Sequence, residues 1–228
     1  MPRLPADMRR RYVLGRAPAA SGDGQRARGG ESMYINYLTL ALATAASALT
    51  LGAVYLLGAP AAGDAQGRRR GFAWAFGAAG LLLLITGLHL VLTWPIPGGY
   101  NIVFGEPLAY FGTLLVIGAP ALWLGERLGP LLLLGAAGGV INLVLAWALL
   151  RHGMTQNPAL AAAMYAASGL GLLIAPAMDR SALARRAAGA LFAASAALFA
   201  LFGLAAYLKH PAVESFGKWV PIEMRSWR

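Results

Sequence analysis

His89 and Glu106 flank one short stretch rich in proline and glycine, and each adjoins a long apolar run. Thr86, His89 and Thr93 recur at spacings of three and four, which puts them on one stripe of a helix. Glu106, Tyr110 and Thr113 recur in the same way on the next run. A carboxylate facing an imidazole can accept a proton, hold a cation or share a metal. His89, Glu106 and His152 are the residues available for a metal, although the usual second-ligand spacing on the His89 helix is missing. Plainer readings stand beside these. A glutamate at a helix start complements the helix dipole, and His89 can be a buried histidine bonded to a carbonyl or to Glu106. Asn101, in the connecting stretch, is expected to belong to the same polar intramembrane pocket as His89 and Glu106. Asn142 and Tyr165, with Ser168, are expected to deepen the same polar pocket.

The elements that must position these groups follow from composition. Hydrophobic residues make up 58% of the 228 and charged residues 12%, against about 25% charged in soluble chains. The apolar residues come in six blocks: 34–57, 72–94, 106–123, 131–150, 158–176 and 187–208. Each is close to the roughly 20 residues that span a bilayer. In lipid every backbone polar group is paired within its own segment, so the blocks are predicted helices, and the alternation of barrel strands is missing. The fold class is all-α, a polytopic membrane bundle of about six transmembrane helices. Gly135 and Gly139, and the small residues 161–167, are packing material for close helix contacts.

The net charge of +10 sits in the N-terminal tail and in short loops, where membrane proteins place arginine, so nucleic acid is not an expected partner. The chain has no cysteine, which excludes disulfides, thiolate metal sites and iron–sulfur clusters. Residues 1–32 read as a disordered basic tail, with Met33 as an alternative start. Residues 33–208 form the membrane domain, and 209–228 an interfacial segment with aromatics at headgroup depth. An even helix count puts both termini on one side. The loops carrying Arg68, Arg69, Arg70, Arg127, Arg180, Arg185 and Arg186 then share the other side, the cytoplasmic one by the positive-inside rule. His89, Glu106, His152 and His210 converge on the opposite face, which is expected to be extracytoplasmic along with the 95–105 loop.

That loop carries a further signal. The run from Thr93 through Trp94, Pro95, Pro97, Asn101, Gly105 and Glu106 to Pro107 resembles the central signature of an uncharacterised prokaryotic membrane family, the domain-of-unknown-function family numbered 981. The resemblance implies a multi-helix fold in the cell membrane and supplies no activity. It implies that Trp94, Pro95, Asn101 and Glu106 act as a unit. No catalytic motif is present, so the first functional expectation is a non-catalytic subunit or small-solute binding component of a membrane complex, without a required cofactor. Its partners would be the lipid bilayer and a homo-oligomer or complex. A channel or transporter for an ion or small solute is the alternative, and a metal- or haem-binding redox protein using His89 is the third reading.

Overall fold

The computed structural model describes residues 38–58, 64–96 and 98–209. The basic tail, Met33, Pro97, His210 and the C-terminal interfacial stretch lie outside these residues. The described residues form six long helices: α1 (Leu38–Leu57), α2 (Ala65–Thr93), α3 (Glu106–Leu124), α4 (Gly129–Arg151), α5 (Pro158–Leu173) and α6 (Ala182–Lys209). A π-helical segment, Asn101–Gly105, runs directly into α3, and a short 3-10 turn, Ala175–Ala177, follows α5. With these extensions the six spans are 20 to 29 residues long and apolar enough to cross a membrane.

Local chemistry sets the boundaries. Asp64 Oδ1 accepts the Gly67 N–H at 2.9 Å and caps α2. Asn157 Oδ1 accepts the Leu160 N–H at 3.2 Å and caps α5. Proline in the first turn of α4 and α5 gives up an N–H that has no helical partner there. Gly125, at φ 82°, ends α3 in the left-handed conformation. Two helices start at least five residues earlier than the sequence expectation. α2 begins at Ala65 rather than Phe72, and α6 at Ala182 rather than Ala187. The arginines placed in loops are therefore helical: Arg68, Arg69 and Arg70 in α2, Arg185 and Arg186 in α6. Arginine interrupts an apolar run without interrupting a helix, because its long stem lets the charged head reach beyond the hydrocarbon. Arg68 Nη2 donates to the carbonyls of Val54, Tyr55 and Gly58 at 2.9–3.2 Å and closes the end of α1. Its guanidinium lies 5.0 Å from the Tyr55 ring centroid, and that of Arg70 lies 4.9 Å from Trp123.

Three helix pairs do most of the packing: α2 with α3, α4 with α5, and α1 with α6. Glycine brings the first two together. A methyl group on Gly87 would meet the backbone of Leu108 and Ala109, one on Gly112 would lie 2.9 Å from the Gly80 carbonyl oxygen, and one on Gly105 would lie 2.8 Å from Leu90 Cβ. In the second pair, Gly139 and Gly169 face each other's carbonyls at 2.7 and 2.9 Å on the same measure. Gly135 is different, since its nearest neighbour, Leu172, lies at an ordinary 3.7 Å. The first helix lies along the last, so the six close into a ring. The seam between α3 and α4 is the loosest of the six.

Candidate functional site

The ring holds a partly open cavity of about 320 Å³ lined by residues from every helix. Leu42 and Leu49 of α1, Leu83 of α2, Phe111 and Leu115 of α3, and Phe192 and Phe199 of α6 are typical of its apolar wall. A polar patch breaks that wall, formed by Asn142 of α4 with Tyr165 and Ser168 of α5, and Tyr55 of α1 also lines the cavity. Asn142, Tyr165 and Ser168 are buried. Asn142 Nδ2 donates to Ser168 Oγ at 3.0 Å. The Ser168 proton is committed to its own helix, with the carbonyls of Met164 and Tyr165 at 3.2 and 3.0 Å. The Ser168 oxygen therefore accepts from Asn142, and this fixes the amide orientation. Asn142 Oδ1 is left buried and without a hydrogen-bond partner among the described residues. Ser195 of α6 donates to the Met164 carbonyl at 2.8 Å and ties the patch to the next helix.

Tyr165 donates its hydroxyl proton to the Val103 carbonyl at 2.7 Å. The cause is readable in the chain. The α-helical donor to that carbonyl would be the N–H of residue 107, which is proline and has none. A buried carbonyl needs a partner, and Tyr165 reaches across the ring to supply it. The π-helical winding at Asn101–Gly105 ends two residues before the same proline.

The signature stretch is therefore half loop and half helix. Trp94 ends α2 in the left-handed conformation, φ 46°, with 54% of its surface exposed. Asn101 is not a pocket residue. Its Nδ2 donates to the carbonyls of Ile96 and Gly98, and its Oδ1 accepts the Ile96 N–H at 3.2 Å, so one amide clamps the turn. Tyr100 OH accepts the Thr155 N–H at 3.3 Å, which joins this turn to the one after α4 at the same end of the bundle.

The two threonine stripes do not meet in the cavity. Thr86 and Thr113 donate back to carbonyls of their own helices at 2.7 and 2.8 Å. Thr93 Oγ1 donates to the His89 carbonyl at 2.7 Å and lies 2.9 Å from His89 Nδ1. With that hydroxyl proton on the carbonyl, the ring proton is assigned to Nδ1. None of Thr86, His89 and Thr93 lines the cavity. His152 is exposed at the end of α4, and among the described residues no three of His, Asp and Glu gather as a metal site. Glu106, Tyr110 and Thr113 line a separate open groove on the outer side of the ring, between α3 and α4. Glu106 is exposed there, and the π-helical segment before it sets it inside the span Asn101–Leu124 rather than at its mouth.

A family model described as "Protein of unknown function (DUF981)" matches residues 32–212. The chain belongs to this family. The match encloses all six spans of the DUF981 chain and both the cavity and the signature turn. No curated protein and no solved structure matches it. Of the polar residues singled out in the DUF981 sequence, the structure brings Asn142 and Tyr165 to the cavity and adds Ser195 behind them. Ser195 lies in a run of alanines that reads as packing material, and only the position of Met164 gives its hydroxyl a purpose. Phe104 and Pro107 are the signature residues that reach the cavity wall.

Proposed function

We propose that this DUF981 chain is a membrane-embedded binding protein for a small, mostly apolar molecule carrying one hydrogen-bond donor. The single observation behind this is the apolar cavity lined in part by Asn142, whose buried Oδ1 has no hydrogen-bond partner among the described residues. A buried carbonyl without a donor costs about 1–3 kcal/mol, and a ligand hydroxyl that reaches it recovers that cost. The volume equals about ten water volumes at roughly 30 Å³ each, which suits a ligand of about ten heavy atoms, such as a medium-chain alcohol. The rest of the wall is mostly leucine, alanine, glycine and phenylalanine, with Tyr55, Pro107 and Met178. An ion crossing it would meet a layer with no polar partner, so the lining favours binding an apolar molecule over conducting ions. On the positive-inside rule, the arginine-bearing end faces the cytoplasm and the signature turn faces outward.

The test is photolabelling of the full chain in lipid nanodiscs with a diazirine-bearing decanol, followed by peptide mapping. Adducts on cavity residues such as Phe111 and Tyr165, competed by unlabelled decanol and lost in Asn142→Leu, are expected. Adducts confined to lipid-facing residues such as Val144 and Trp147 would refute the reading.

A further inference from the structure

Glu106 is an exposed carboxylate within an apolar span, on the outer side of the ring. No ion pair to it is formed among the described residues. A charge facing lipid calls for a cation beside it. The groove it lines holds about 450 Å³ and runs down the α3–α4 seam past Tyr110, Thr113 and Ile117 to Leu131 and Leu134. Two of its wall residues, Leu114 and Leu131, also line the central cavity. These two leucines therefore stand between the groove and the interior. One hydrogen bond reaches across the seam here, from Tyr110 OH to the Leu134 carbonyl at 2.8 Å.

Depth is consistent with passage. The Tyr165–Val103 bond links α5 and α3, which run in the same direction. Ser168 and Glu106 each lie three residues further along, about 4.5 Å deeper at roughly 1.5 Å per residue. Leu114 lies eight residues beyond Glu106, about 12 Å deeper, where the tail of a molecule held at Glu106 would reach.

We propose that this groove is the lateral portal of the cavity, and that it admits from the bilayer a single-chain amphipath with a primary-ammonium head, which Glu106 holds while the tail passes between Leu114 and Leu131. The inference rests on the cavity-binding reading and narrows its ligand to an amine. An ammonium brings the charge that the carboxylate needs and the N–H donors that Asn142 Oδ1 accepts.

The experiment uses diazirine-bearing decylamine and decanol on the full chain in nanodiscs. Decylamine is expected to half-saturate cavity labelling at a concentration at least tenfold lower than decanol, and the ratio should fall to about one in Glu106→Gln. The chain has no cysteine, so a Leu114→Cys, Leu131→Cys pair can be bridged with a short bifunctional thiosulfonate reagent. Bridging should confine decylamine adducts to groove residues such as Ile117, and reduction should restore cavity labelling, which rules out misfolding. Leu131→Trp serves as a plug that needs no reagent. If decanol labels the cavity, decylamine has no advantage and bridging changes nothing, the portal is refuted and the cavity reading stands. If neither probe labels the cavity in the unaltered chain, both fall. A disulfide between two chains carrying Ile117→Cys, with the groove unlabelled, also overturns the portal and assigns the seam to a second copy.

Discussion

Replacing Asn142 with leucine should stabilise the chain while abolishing ligand binding. The native amide makes one hydrogen bond, Nδ2 to Ser168 Oγ at 3.0 Å, and leaves Oδ1 buried and unpartnered. The bond contributes about 1 kcal/mol, and the orphan oxygen costs about 1–3 kcal/mol. Leucine removes both and adds apolar contacts to a wall already made of leucine and phenylalanine. Ser168 keeps its donation to the Met164 and Tyr165 carbonyls. The net expectation is a gain of about 1 kcal/mol, or a melting temperature roughly 2–4 °C higher for a chain of this size. Ser168→Ala should move the other way by about 1–3 kcal/mol, because it leaves the Asn142 amide without its acceptor. The double variant should resemble Asn142→Leu, since the two residues share one network. The assay is thermal melting of the purified chain in one fixed detergent, alongside decanol photolabelling. A lower melting temperature for Asn142→Leu with cavity labelling intact would refute the reasoning. It would mean that the amide is a structural tie and not a vacant acceptor.

Three further expectations follow from the packing and the turn. Gly87→Ala sets a methyl group against the Leu108–Ala109 backbone, so α2 and α3 must separate; a loss of about 1–3 kcal/mol is expected in melting. Gly135→Ala, whose methyl group would sit 3.7 Å from Leu172, should be neutral or stabilise by up to about 1 kcal/mol through the unfolded state. Asn101→Ala removes the clamp on Ile96 and leaves buried backbone groups unpaired, with an expected loss of about 2 kcal/mol and faster proteolysis after Trp94. For orientation, Gly153→Cys should react with a membrane-impermeant maleimide added to intact cells, and Gly125→Cys only after the cells are opened; the reverse pattern would invert the topology.

The six spans were legible in the sequence because lipid leaves a segment few choices. About 20 apolar residues in a row must satisfy their backbone internally, so length and composition alone select a helix. The start of α2 was not legible: Asp64 caps it well before Phe72, because the arginines between them end the apolar run without ending the helix. Which side of each helix faces inward was not legible either. A helix that is apolar all round has no moment to read, and lipid and a protein interior look alike to leucine. Thus His89 with its threonines read as an inward stripe, whereas Thr86, Thr93 and Thr113 are satisfied on their own backbones and face outward or toward the seams.

Only the tertiary structure settled three things. It selected Gly139 over Gly135 as the close contact, because closeness depends on which neighbour stands opposite. It moved Asn101 from pocket to turn, because an amide bonds whatever backbone lies in reach. Lastly, it showed that Pro107 leaves the Val103 carbonyl for Tyr165, a hydroxyl far along the chain. Proline and carbonyl were visible in the sequence. The partner was not, because a missing hydrogen bond states a need without saying which distant residue will meet it.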